Sequence, residues 1–407
     1  MLMCIRTING GLKMKAAKDK TFWNHISRNY KAYPKLSSNI SCDVVIVGGG
    51  ISGCLTNYYL SQYNIDTVVI EKESIAQGST LLSSGILKCE LSKELSELSK
   101  LITKEHAVRT YKLCQKSIDD VESILWNISK SCDFKRIDNL YINRLKDTDL
   151  KKEFNLRASE GFAVDYMDKE LVQSNFACLD SDGIYSKSFA VIDPLKFCHA
   201  LIKASASKNA RVYENTSLTS LDFAQNKIRV NTQEYSITCK KVVFTAGSQA
   251  LKLITDNIVR FIPSYTLVTN ELKDLNWWYK KCLIHEVDEN IYNIRPINNN
   301  RILIQMHTPE ESTVDDISKK LDIMLNKIRT LLPENKGLKA DYFWKCSYAE
   351  TKDGLPYIGE HSDFPNCYFN LGLGGSGDTL SAAGAQIIKD LILYNSSPDS
   401  KIFNFKR

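Results

Sequence analysis

Hydrophobic positions change period several times along the chain, and each change marks an element. Residues 43–47 (DVVIV) form a short apolar run ending in Gly48-Gly49-Gly50. That pattern predicts a buried strand running into a tight turn. Residues 51–63 return apolar side chains at helical spacing. Residues 67–70 (TVVI) are a second buried strand, closed by Glu71. Strand, glycine turn, helix and strand within about 30 residues predict a βαβ unit and a parallel sheet.

Residues 91–130 are long, charged and helical in period. Leu91, Leu95, Leu98 and Ile102, then Leu113, Ile118, Val121, Ile124 and Leu125, predict two helices packed on another surface. Short strands are expected at 140–144 and around 162–165. Asp193-Pro194 opens a helix reaching about residue 207, with proline in its first turn. Strands are expected at 211–216, 227–232, 235–238 and 241–246 (KVVFTA), the last meeting Gly247. Residues 258–310 are strand-rich, and 314–332 read as a helix stopped by Pro333. A glycine-rich turn at 371–377 and a helix at 381–394 close the chain.

Candidate chemistry begins at the first turn. Gly48, Gly50 and Gly53 form GxGxxG between strand and helix. The first glycine makes the turn, the second admits a pyrophosphate, and the third lets helix and strand pack closely. The helix N-terminus, at Ile51 and Ser52, offers free N–H groups to phosphates. Glu71, with Lys72 beside it, ends the next strand, where a carboxylate accepts hydrogen bonds from ribose hydroxyls. An acid there disfavours a 2′-phosphate, so FAD or NAD is expected rather than NADP. Further glycine elements follow: Gly78-Ser79-Thr80, Thr245-Ala246-Gly247, Gly354 in DGLPYIG, and Gly374, Gly375, Ser376 and Gly377 in LGLGGSG. Each alone is a turn. Four in this order point to a flavoprotein, with N–H dipoles aimed at the flavin.

Composition narrows the class. At 407 residues two or three domains are expected. Apolar residues at 43% and charged residues at 25% exclude a largely disordered chain. No apolar stretch approaches the ~18 residues of a membrane span. The net charge of +6 comes from scattered lysines, without the basic stripe of nucleic-acid binding. Twelve cysteines show neither CxxC nor zinc spacing, so free thiols in a reducing, cytoplasmic compartment are expected, and no metal site. Residues 1–21 read as an N-terminal extension, either disordered or reflecting a start placed before Met14.

At this point the chain resembles the D-amino-acid-oxidase-like FAD-dependent oxidoreductases, which include glycine, sarcosine and gamma-glutamylputrescine oxidases. The segments that carry the likeness are DVVIVGGGISG, VIDPLKF, KVVFTAG, ETKDGLPYIG and YFNLGLGGSG. ETKDGLPYIG is most like a DadA-like or gamma-glutamylputrescine-oxidase-like branch. The resemblance implies an α/β fold. A Rossmann-like FAD-binding domain of the GR2 or D-amino-acid-oxidase type would be built from 40–105, 186–255 and 341–407. A second α+β substrate domain of mostly antiparallel sheet would take 106–185 and 256–340. It implies oxidation of a C–N bond of a small amine or amino acid by hydride transfer to flavin N5, then imine hydrolysis. The electrons would pass to O2 or an electron carrier.

The same resemblance supplies site residues. IYNIRPINNNRILIQMHT is similar to the hairpin over the flavin, which makes Tyr292 and His307 substrate-side candidates. A strand-end surface histidine would look the same. Lys88 matches a carboxylate-binding arginine of sarcosine oxidase; a surface lysine is the alternative. Cys346 stands where sarcosine oxidase bonds its flavin covalently; an inert buried thiol is the alternative. Leu303 replaces an oxygen-promoting lysine, Tyr348 and Thr379 replace carboxylate-binding cations, and Ser376 stands where relatives often have Asn. These departures leave a non-catalytic flavin-binding scaffold as the second reading and an NAD-dependent dehydrogenase as the third.

Overall fold

The computed structural model describes residues 3–8, 11–16, 21–27, 30–145, 149–176, 178–208, 210–224, 227–254, 258–308, 314–332 and 337–407. A six-stranded sheet has the order Arg211–Tyr213, Thr67–Ile70, Val44–Val47, Lys241–Phe244, Phe364–Leu371 and Tyr357–His361. All neighbours are parallel except the last pair. Alternation along each strand explains why the apolar runs are continuous. Val44 and Ile46 enter one core, with the helices Ile51–Ser61, Pro194–Ala206 and Gly377–Tyr394. Val45 and Val47 enter another, under a four-stranded sheet that includes Lys227–Asn231 and Ser236–Cys239.

The second layer is an eleven-stranded sheet. Its central run is Ala340–Thr351, Val259–Thr269, Arg301–His307, Ile291–Ile297, Leu283–Val287, Lys135–Asn143 and Gly183–Val191. Neighbours in that run are antiparallel except Leu283–Val287 with Lys135–Asn143. One face packs on the helix Val314–Leu331, with Ile294, Ile304, Met306 and Met324 buried between them. The other face turns to the helices of the first layer, so Leu303 and Trp344 share a core with Leu55 and Leu380.

Several expectations needed adjustment. The closing helix starts at Gly377, four residues earlier than expected, because Thr379 and Leu380 are already buried against the sheet. Gly183–Val191 and Ala340–Thr351 are strands that periodicity missed. Charged residues such as Lys187 and Lys345 interrupt their apolar pattern. Positions 186 and 341, expected as segment boundaries, therefore fall inside strands of the large sheet. Residues 3–8 and 11–16 form an antiparallel hairpin paired to Ala340–Thr351, where a disordered extension was one expectation. The long helix Lys104–Asn127 and its short predecessor Leu95–Leu101 match the two-helix reading.

Candidate active site

The turn after Val47 is held by close backbone approaches. Gly48 adopts φ +113°, and a Cβ there would lie 2.9 Å from the backbone of Thr245 and Ala246. A Cβ on Gly53 would lie 1.9 Å from the Gly48 carbonyl oxygen. Gly50 precedes the helix and carries no side chain to cap it, so the N–H groups that follow Ile51 suit an anion at the helix start. Ile51 N–H donates to Thr80 Oγ1 at 3.0 Å, which ties the segment at Gly78 and Ser79 to the turn. Glu71 organises the floor: its carboxylate accepts from Gly49 N–H at 2.8 Å and Glu73 N–H at 3.0 Å. Ala246 and Gly247 follow the next strand and abut Gly48. Two candidates contribute less. Lys72 is exposed at the rim, 3.9 Å from Glu73. The Ser52 hydroxyl is engaged by the Asn370 amide at 2.8 Å, so only its backbone is available.

The large sheet presents a polar face toward this turn. Register places His307 opposite both Ile291 and Ser264, Gln305 opposite Asn293 and Thr266, and Asn293 opposite His285. The Asn293 amide reaches Gln305 Oε1 at 3.5 Å and His307 Nε2 at 3.4 Å. Around them Asn293 Oδ1, His307 Nδ1, His285 Nδ1, Thr266 Oγ1 and both Asn139 side-chain atoms are buried with no hydrogen-bond partner among the described residues. Each such group costs ~1–3 kcal/mol if it stays unpaired, so the row is built to meet a polar guest. His307 is 5% exposed, which removes the surface reading. Burial first, and then Lys88, lowers it to about 3, so the imidazole is neutral.

Tyr292 does not join His307. It pairs with Met306, one residue out of phase, and side chains one residue apart face opposite sides of a sheet. It lies in the core under Val314–Leu331, with the Lys327 ammonium 5.1 Å from its ring. The sequence placed both residues on one hairpin, but only the register sorts them by face.

Lys88 is 5% exposed, not a surface lysine. Its N–H donates to Thr379 Oγ1 at 2.8 Å, so the threonine that replaces a family cation positions this one. Its ammonium has no hydrogen-bond partner among the described residues. Burial pulls it down to about 8, against the attraction of Glu90 and Asp378. Glu90 belongs to a buried network that sequence reasoning missed. Arg157 bonds Glu90 at 2.5 Å and Glu153 at 2.6 Å, and Ser186 bonds Glu90 at 3.1 Å. The second Glu90 oxygen faces His285 Nδ1 at 3.9 Å. No local motif links positions 90, 157 and 285; only the adjacency of Glu90 to Lys88 hinted at it.

The C-terminal glycine turn closes the arrangement. Gly374 has φ +61°, and a Cβ on Gly375 would lie 3.6 Å from the Tyr348 ring. Tyr348 meets the His307 ring edge-on with centroids 5.0 Å apart. Ser376 donates to the Glu90 carbonyl at 2.9 Å, and Gly377 opens the helix. Asp378 accepts from the Ser83 hydroxyl, and burial raises its carboxyl to about 6 against Ser83 and Lys88. Gly354 lies apart from this cluster, at φ +80° beside Ser92, in a loop fastened by the Asp353–Arg407 ion pair at 2.8 Å. Cys346 sits on the polar face opposite Ser264, with Sγ 3.9 Å from the Leu82 carbonyl. Burial pushes its thiol up to about 11, with the Ser264 hydroxyl acting the other way.

The N–H groups at the helix start, the glycine cradle and the orphaned polar atoms of the large sheet together fit a dinucleotide-binding protein. Comparison with known proteins agrees. Residues 43–391 match the family model described as "FAD dependent oxidoreductase". Glycine oxidase of Bacillus subtilis (strain 168) is 25% identical over 374 residues, covering 86% of this chain and 93% of that protein. A B. subtilis protein named for a Rieske 2Fe-2S iron–sulfur centre is 22% identical over 400 residues, covering 95% of this chain and 75% of its own. Glycine oxidase from Geobacillus kaustophilus superposes with a TM-score of 0.73 at 18% identity, covering 88% of this chain and 96% of that structure.

Proposed function

The chain belongs to the FAD-dependent oxidoreductase (DAO) family, and from that premise we propose that it oxidises the C–N bond of a small amino acid. The carrying observation is the buried Lys88 ammonium, without a hydrogen-bond partner among the described residues, near His285, Asn293 and His307, each of which keeps one buried polar atom unpaired there. Gly48, Gly50, Ile51, Glu71 and Thr80 hold the dinucleotide, with Ala246, Gly247 and the turn at Gly374, Gly375 and Gly377 closing over it. FAD, when bound, accepts the hydride that leaves the substrate carbon.

The protein's part is orientation and charge. Lys88 meets the substrate carboxylate, an ammonium-to-carboxylate hydrogen bond strengthened by exclusion of water. Neutral His307 and Asn293 hold the amine end, since an uncharged imidazole accepts a hydrogen bond from N–H. Tyr348 covers His307 and limits the size of the substrate.

Cys346 stays a thiol, and FAD is held without a covalent link. A thiolate is the nucleophile that such a link requires, and burial opposes its formation. The electrons pass to a carrier rather than to dioxygen. Leu303 offers no charge where the resemblance puts an oxygen-promoting lysine, and a relative that covers 95% of the chain is named for a Rieske centre.

The test is anaerobic mixing of the flavin-loaded protein with a panel of amino acids and amines. Bleaching of the flavin band by an amino acid is expected. A flavin left unbleached by the whole panel refutes catalysis and favours the scaffold. Turnover with a dye acceptor but slow oxygen uptake separates the carrier from dioxygen.

A further inference from the structure

A cavity of about 240 Å³ is lined by Arg295 and Ile297, farther along the strand whose Ile291 pairs with His307. Trp23, Phe22, Ile137 and Ile297 give it apolar walls, and Arg295 reaches it from the large sheet. Arg295 is 5% exposed; Nη2 donates to the Ser84 carbonyl at 2.9 Å, and Nε has no hydrogen-bond partner among the described residues. A buried guanidinium with an unused donor is a stable arrangement only if an acceptor comes to it.

The charges around the cavity are uneven. Lys135 lines it beside Arg295, as does Lys281, whose ammonium donates to the Leu275 carbonyl. Its two acids are already engaged: Asp133 with Lys196 at 2.7 Å, and Asp193 with the Ser27 hydroxyl at 2.6 Å and the N–H groups of Leu195 and Lys196. The cavity lies just below the ~300–1,000 Å³ range of small-molecule pockets, so its guest is small. A phosphate would satisfy the charge and leave the aromatic wall uncovered. A carboxylate on an apolar body satisfies both, with the planar guanidinium matched to its two oxygens.

We propose that the cavity between Trp23 and Arg295 binds a small carboxylate with an apolar body, separately from the pocket at Lys88 and His307. The site also communicates with that pocket. Trp23 Nε1 donates to the Ser83 carbonyl at 2.8 Å and Arg295 to that of Ser84. Both therefore hold the segment that leads to Lys88.

The experiment titrates the flavin-loaded protein with benzoate by calorimetry, with benzamide and inorganic phosphate as comparators. Benzoate should bind at least tenfold more tightly than either. Arg295→Met should weaken benzoate at least tenfold. Arg295→Lys, which keeps the charge and loses the fork, should weaken it severalfold and serves if the methionine variant does not fold. Lys88→Met should leave benzoate affinity within twofold. No benzoate binding, equal binding of benzamide, or phosphate binding as tight as benzoate overturns the proposal. So does a loss confined to Lys88→Met, which would send benzoate to the catalytic pocket and leave the reading of that pocket standing.

Discussion

Replacing Gly53 by alanine sets two principles against each other. In a helix the change normally stabilises by ~0.5–1 kcal/mol. Here the new Cβ would lie 1.9 Å from the Gly48 carbonyl oxygen and 2.8 Å from the Thr245 hydroxyl. Non-bonded atoms need roughly 3.5 Å, so the helix start must move more than an ångström from the strand end. The strand end cannot follow, because Gly48 N–H is tied to the Ile70 carbonyl at 2.9 Å. The new Cβ also presses on the Thr245 hydroxyl and so strains its bond to the Gly48 carbonyl, 3.0 Å in the native turn. Overpacking and one weakened buried hydrogen bond together predict a net loss of ~2–4 kcal/mol. The same displacement carries the first helical N–H groups away from the dinucleotide, so the purified variant should be nearly colourless. The ratio of flavin to protein absorbance and a urea melt read both effects. An alanine variant with full flavin content and an unchanged or higher urea midpoint would refute the reasoning.

Lys88 is charged only below about pH 8, so kcat/KM for a carboxylate-bearing substrate should fall tenfold per pH unit above that point. Lys88→Arg should remove the alkaline limb, and Lys88→Met should cost ~2–4 kcal/mol in kcat/KM; a wild-type profile flat through pH 9 contradicts the role. Arg157→Met leaves two carboxylates buried and should destabilise by ~3–5 kcal/mol at neutral pH. Glu153 is held below 4.5, Arg157 and Ser96 outweighing its burial, so its contribution is present above 4.5 and lost as pH falls. The deficit of the methionine variant should therefore shrink near pH 4, and urea melts showing an equal or larger deficit there would refute this. Thr266→Val removes a buried hydroxyl with no partner among the described residues and should raise stability of the flavin-free protein by ~0.5–1.5 kcal/mol; a loss would mean that the hydroxyl is satisfied within the protein. Acid precipitation should release all flavin to the supernatant, and yellow pellets would restore a covalent bond at Cys346.

The parts legible in the sequence are those set by neighbours in the chain. The residues of Val44–Val47 announce a two-sided buried strand because all four are apolar and β-branched. Gly48 and Gly53 announce the turn because no other residue fits those approaches. Lys88 and His307 became candidates through the family resemblance, but their burial was not visible, since it depends on Thr379 and Tyr348 more than 40 residues away. Tyr292 was misread because facing depends on strand register, which the hairpin alone does not reveal. Arg157, Glu90 and His285 were invisible for the same reason: a buried ion network joins distant segments and leaves no periodic trace.

The departures from the family pattern first suggested a decayed site, and the geometry argues against decay. Thr379 lacks a charge but accepts the N–H of Lys88, so a cation remains, supplied from another segment. Tyr348 also lacks a charge, yet it packs between Gly375 and His307, where it shapes the pocket. A scaffold would have no reason to keep a buried ammonium at Lys88, and a buried polar atom at each of His285, Asn293 and His307, without a hydrogen-bond partner among the described residues. Apolar replacements at such positions are neutral or stabilising, so a chain freed from catalysis would lose these groups first. Three of them share one face of the large sheet and Lys88 lies near that face, which is what a working site requires and a folded core does not.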